Sequence, residues 1–237
     1  MSNWPSFIGI PLWFWLFVLP ALLALSARIF NQQALKILRP FWKVLDGIYL
    51  ASGIAAAGFM ILILLIIIGQ MLARWSGFTF EGSTEFAGYA MAATSFFAMA
   101  HALGRGAHIR VSIFLNINPF TRLWLNAFAM WIAALVATYF ARFSIKTNFM
   151  SEMLNDRTQG QDQIPDSLLA FLQMFVTAPS KWGQIWAGVE GNLVYTPIWL
   201  PQLSMSFGTI LLAIALWDHL IRLLVLNQSA IESEVVR

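Results

Sequence analysis

Residues 48–72, IYLASGIAAAGFMILILLIIIGQML, run without one charged side chain. A helix that is apolar all round must be buried in protein or in lipid, and a bilayer core of ~30 Å takes ~20 such residues. Comparable runs lie at 86–103, 123–141 and 193–217. The last contains Pro197 and Pro201. Proline is well placed in a first helical turn, so the regular helix is expected to begin near them and to run past Trp217. The runs are continuous, not alternating, which excludes a β-barrel. The expected class is therefore an all-α integral membrane protein with four transmembrane helices. At 59% hydrophobic and 11% charged residues, the chain is far from the ~25% charge of soluble domains.

A fifth apolar stretch, 7–27, holds Pro11 and Pro20. No Lys or Arg precedes it, which argues against a signal peptide, and it is expected to form an extra N-terminal membrane-embedded helix, with a helix lying at the interface as the alternative. The chain then divides into an N-terminal segment (1–27), a basic arm (28–45), a membrane domain (46–225) and a cytoplasmic tail (226–237). Within the membrane domain, 143–192 is expected to be a long outer loop.

Orientation follows from the short connections. The arm holds Arg28, Lys36, Arg39 and Lys43 with no acid, whereas 73–85 holds Arg74, Glu81 and Glu85. Residues 101–122 hold Arg105, Arg110 and Arg122, again with no acid. Positive connections alternate with mixed ones, so the arm and the 104–122 loop face the cytoplasm. The net charge of +3 reflects this bias and does not call for nucleic acid.

The arm has a helical repeat. Phe30, Ala34, Ile37, Leu38, Phe41, Trp42 and Leu45 share one face, and Arg28, Gln32, Lys36, Arg39, Lys43 and Asp46 the other. A basic amphipathic helix of this kind, bent at Pro40, suits an anionic cytoplasmic leaflet. On the outer side, 167–191 is expected to form two short interfacial helices around Pro179, with Trp182 and Trp186 as anchors.

The polar chemistry is sparse. There is no cysteine, which removes thiol chemistry and Cys-ligated metals. His101 and His108 are seven apart and, with His219, form a candidate metal or haem set. Gly104 and Gly106 are expected to break the helix between the first two, and no carboxylate stands by to orient an imidazole. His219 follows Asp218 near the cytoplasmic end of the last run, where polar groups cost little. Gly104-Arg105-Gly106 is a weak anion-binding nest; a tight turn whose arginines fix topology explains it equally. Glu85 follows Ser83 and Thr84 as an ordinary first-turn acid. Gln70 and Arg74 sit at the outer end of the first run, and Arg74 can snorkel. No run carries a charge near its middle, where ion and substrate pathways are usually marked. Gly53 with Ala57, and Gly88 with Ala92 and Ser95, form small-residue faces for close helix packing. The residues alone describe a membrane protein built for packing, an accessory subunit and not a pump.

Four stretches in order carry a family resemblance. GRGAHIRVSIF resembles the cytoplasmic loop of the small membrane subunit (DctQ-like) of tripartite ATP-independent periplasmic (TRAP) transporters, where G-x-H-I-R-V follows the second conserved span. GQMLARWSGF is similar to that family's Q-x-x-x-R at the end of its first span. STEFAGYAMAATSFFAMAHAL resembles its second span and TPIWLPQLSMSFGTILLAI its last, so the resemblance covers roughly 28–225. Ser112 stands where the family often has an acid, Glu81 and Glu85 are split by Gly-Ser-Thr, the outer loop is long, and 7–27 looks like an addition.

The resemblance implies a small permease subunit in the bacterial inner membrane, multi-pass and not an enzyme. It implies uptake of an organic anion, usually a carboxylate, by sodium-driven symport without ATP. A periplasmic binding protein captures the solute and a large elevator-type subunit carries it. This chain would brace the large subunit's scaffold, bind no substrate itself and hold no cofactor, with sodium coupling in the large subunit. Arg105, His108, Arg110, Glu85, Gln70 and Arg74 would contact the large subunit or lipid headgroups. Arg28, Lys36, Arg39, Lys43 and Trp42 would form the surface arm on phospholipid. The outer helices around Trp182 and Trp186 would dock the binding protein. The alternative from another class is a haem-bearing oxidoreductase subunit using His101, His108 or His219.

Overall fold

The computed structural model describes residues 4–105 and 119–226. His108, Arg110 and the tail beyond Leu226 lie outside them. Four helices are long and apolar enough to cross a membrane: α2 (Asn31–Trp75), α3 (Ser83–Gly104), α4 (Pro119–Met153) and α7 (Trp199–Leu226). α1 (Leu19–Ile29) precedes them. The outer connection carries α5 (Asp166–Val176) and α6 (Trp182–Ala187), with a 3-10 turn at Pro179–Lys181 between them.

α7 is the axis of the bundle. Of its most apolar stretch 61% is buried, against 11% for α2 and 22% for α3 and for α4. It packs on α4, α3 and α1, while α2 leans chiefly on α3. The α4–α7 seam is made by Ala127, Ala134, Ala137 and Ala141, all buried. Small side chains at this spacing let backbones approach closely without a hydrophobic drive between helices. Two polar contacts fix the seam's register. The Ser144 and Thr209 hydroxyls meet at 2.9 Å, and Trp217 Nε1 donates to Thr138 Oγ1 at 2.9 Å. Between α3 and α7, a Cβ on Gly208 would stand 2.6 Å from the Phe96 carbonyl oxygen. Phe59 stacks on Phe97 between α2 and α3, with ring planes 7° apart.

Three expectations change. The arm and the first span are one helix: the 45 residues of α2 measure about 68 Å at ~1.5 Å per residue, and the helix passes through Pro40. Proline removes one backbone donor and crowds the carbonyl four residues earlier. Here Trp42 and Tyr49, both buried, anchor the helix just beyond it. α4 continues to Met153, so the outer connection starts at Leu154 and not at 143. The break at Gly104 is observed, with α3 ending there.

The N-terminal segment is not one helix over 7–27. It opens with a hairpin of β1 (Ser6–Phe7) and β2 (Ile10–Pro11), turning on Ile8 and Gly9, both at positive φ. A π-helical turn, Phe14–Val18, leads into α1, and Pro20 occupies its first turn. The Arg142 guanidinium lies 3.4 Å from the Trp4 ring centroid, and that of Arg28 lies 5.3 Å from the Trp124 ring. Along α4 those partners are about 27 Å apart at ~1.5 Å per residue, so the N-terminal segment and the start of the arm meet α4 at widely separated points.

Candidate functional site

The bundle concentrates its polar side chains at two ends. At the end where α7 finishes, Arg222 of α7 stands 2.7 Å from Asp46 Oδ1 on α2 and 2.9 Å from Asp218 Oδ2 one turn back on α7. The Tyr49 hydroxyl donates to the same Asp218 oxygen at 3.3 Å. The Arg222 guanidinium also lies 5.2 Å from the Trp42 ring centroid. Asp218, Tyr49, Trp42 and His219 are all buried. A charge inside a bundle is stable only when paired and hydrogen-bonded, and Arg222, with two carboxylates, meets that condition for Asp218.

Two expectations are corrected. Trp42, expected on the membrane-surface arm, packs into the bundle, and Glu85 does more than start a helix, as the outer end shows; the burial of Asp218 and His219 near the end of α7 agrees with a structural role. Asp46 turns toward Arg222 and draws that part of the arm inward. The pattern Asp218-x-x-x-Arg222 was the available signal, an i,i+4 pair on one helix face. Arg28 also turns to the bundle, where it donates to the Leu224 carbonyl at 3.2 Å. Lys36, Arg39 and Lys43 are exposed.

At the outer end, the 154–198 connection is tied to α3. β3 (Gln163–Pro165) pairs antiparallel with β4 (Leu193–Tyr195), Ile164 opposite Val194. Ile164, Leu169 and Trp199 form a small second core against Phe86. Asp162 is fully buried; its Oδ2 accepts from the Tyr89 hydroxyl at 2.5 Å, and its carbonyl accepts from Thr196 Oγ1 at 2.5 Å and Thr196 N at 3.1 Å. Glu85 Oε1 accepts from the Gln161 amide at 3.2 Å. Gly82, at φ +74°, leaves no room for a side chain: a Cβ there would come 2.9 Å from Asp162 Cα. Glu85 is thus more than a first-turn acid, because it holds the outer connection.

The interfacial pair is pinned the same way. Trp182 Nε1 donates to the Met174 and Thr177 carbonyls at the end of α5, at 2.9 and 3.0 Å. Trp186 is exposed. Burial disfavours ionised Asp166, but amides at Glu190, Asn192, Ser167 and Gly191 outweigh it and hold the carboxyl below its ordinary range. The two bonds to Asp166 Oδ2 are 2.8 Å from Glu190 N and 2.9 Å from Gly191 N.

The remaining candidates are spread out. Arg105 caps the end of α3 and is exposed. Gln70 is half-buried and Arg74 exposed, both near the outer end of α2. The His101 ring fills the space over Gly53, where a Cβ would meet it at 2.6 Å. Gly53 therefore does bring α2 close to α3, whereas Gly88 faces open space. His219 lies beside Tyr49, ring centroids 6.2 Å apart, with its Nε2 3.6 Å from where a Cβ on Gly104 would stand. Among the described residues, no three of His, Cys, Asp and Glu converge as metal ligands would.

Residues 63–178 match one family model, described as tripartite ATP-independent periplasmic transporters, DctQ component. The match runs from within α2 to just beyond α5; the arm and α7 lie outside it. No curated protein and no solved structure matches the chain.

Proposed function

We propose that this chain, a small inner-membrane permease subunit of a TRAP transporter by its DctQ segment at residues 63–178, braces a large elevator-type partner and binds no solute itself. The family is a transporter component, not an enzyme family. The observation that carries the bracing role is the bareness of α2. Only 11% of its most apolar stretch is buried, and Ile54, Ile61, Leu64, Leu65 and Ile68 are exposed on it. A rigid bundle centred on α7 thus presents one long apolar helix to its surroundings. Small and apolar faces of this kind are what membrane helices pack with. Of the charges inside the described spans, Asp218 and Arg222 neutralise each other, and Arg142 of α4 stacks on Trp4.

In this reading the large subunit carries an organic anion, of carboxylate type, coupled to sodium, and a periplasmic binding protein delivers it. The arm's Lys36, Arg39 and Lys43 meet the anionic cytoplasmic leaflet. Arg105, with His108 and Arg110 beyond it, contacts the large subunit or lipid headgroups. α5 and α6 lie on the side from which the binding protein approaches.

The test is uptake in vesicles holding this chain, the large subunit and the binding protein. The expected result is organic-anion accumulation that needs all three and collapses without a sodium gradient. Undiminished uptake without this chain would overturn the role.

A further inference from the structure

One buried carboxylate of the outer connection is only half satisfied by the protein. Asp162 is fully buried. The Tyr89 hydroxyl donates to its Oδ2, but no group donates to its Oδ1. That oxygen faces Glu85. A Cβ built on Gly160 would stand 2.9 Å from Asp162 Oδ1 and 2.9 Å from Glu85 Oε1. The two carboxylates thus converge on one small space beside the Gly160 α-carbon. Among the described residues, neither forms an ion pair with a basic side chain.

Like charges brought together in this way repel, and a buried carboxylate is stable only when paired and hydrogen-bonded. Glu85 Oε1 accepts from the Gln161 amide at 3.2 Å, which leaves it a second acceptor site. A cation between the two oxygens answers both charges, and the donors indicate its class. They are hard oxygens held by separate parts of the chain, Glu85 by the first turn of α3 and Asp162 by Thr196. Irregular oxygen sites suit calcium, whereas magnesium demands a near-ideal octahedron. A sodium ion would leave one negative charge. Glu85 is half-buried, so water can complete the shell from its side. We propose that Asp162 and Glu85 share one calcium-class cation, which clamps the outer connection to α3. With two carboxylates alone, the affinity belongs to the weak range, Kd ~10⁻⁴–10⁻³ M. This does not depend on assembly with a large subunit.

The test uses the full chain in a non-ionic detergent, stripped of metals with a chelator. Equilibrium dialysis against radioactive calcium counts the bound ion, and one per chain is expected. Hydrogen exchange then locates it. Calcium at about 10 mM, ~10 or more times that Kd, should slow exchange at the Thr196 and Gln163 amides about tenfold. Sodium chloride of equal ionic strength should not. Glu85→Gln keeps an acceptor for the Gln161 amide and removes one charge. Gly160→Ala keeps both charges and puts a methyl into the space between them. Each should lose the calcium response while helical circular dichroism stays unchanged. No bound calcium, equal slowing by magnesium or sodium chloride, or a full response in either variant would overturn the proposal. So would slowing by mild acid without any calcium effect, which assigns the space to a shared proton.

Discussion

Arg222 and Asp46 are 176 positions apart in the chain and 2.7 Å apart in space. Their contact joins α7 to α2, and Asp218 shares the same guanidinium nitrogen. The three do not contribute equally, because Asp46 is 57% exposed while Asp218 is 5% exposed. Removing Arg222 strands a buried carboxylate, whereas removing Asp46 relieves a solvated one.

Arg222→Met should therefore destabilise the purified protein by about 3–5 kcal/mol. Asp46→Asn should cost no more than about 1 kcal/mol. Thermal unfolding in a fixed detergent reads both. Equal losses would contradict the unequal burial.

Gly208→Ala should separate α3 from α7, because the new methyl would meet Phe96 backbone atoms at 2.6–2.7 Å. Overpacking of this kind costs about 1–3 kcal/mol. Gly88→Ala and Gly58→Ala face open space and should be neutral or stabilise the helix by up to about 1 kcal/mol. The melting temperatures of the three variants decide the point.

Tyr89→Phe removes the hydroxyl that donates to buried Asp162. An unsatisfied buried acceptor costs about 1–3 kcal/mol. The loss should be local, read as faster hydrogen exchange at the Thr196 amide, which is bonded to Asp162, with α4–α7 protection unchanged.

The Asp166 carboxyl is held below its ordinary range by backbone donors. Its contribution is present above the unfolded pKa of about 3.9 and is lost as pH falls through the lower folded value. Exchange protection at Glu190 and Gly191 should persist at pH 5 and fall only under stronger acid. Asp166→Asn should remove that pH dependence.

Much of this was legible in the chain. Uncharged runs gave four spans, Gly104 gave the end of α3, and Pro201 marked the first turn of α7. The expectation of two short helices around Pro179 gave α5 and α6. What failed were readings in which a residue's partner lay far along the chain. Trp42 reads as a surface-arm residue until Arg222 is brought over its ring. Glu85 reads as a capping acid until Gln161 is brought to it. The alanine seam of α4 was visible as a spacing, but the glycines of other helices drew the packing assignment. Pro40 did not announce that the arm and the first span form one helix, which continues through it with Trp42 and Tyr49 buried beyond.

The central claim is assembly with a large permease subunit, and co-purification tests it most directly. A tagged form of the chain would be isolated from native membranes and whatever accompanies it identified by mass spectrometry. A stoichiometric large multispan permease is expected, with its yield reduced by Arg105→Ala or Arg110→Ala. Recovery of the chain alone, or with a haem or quinone protein, would contradict the account.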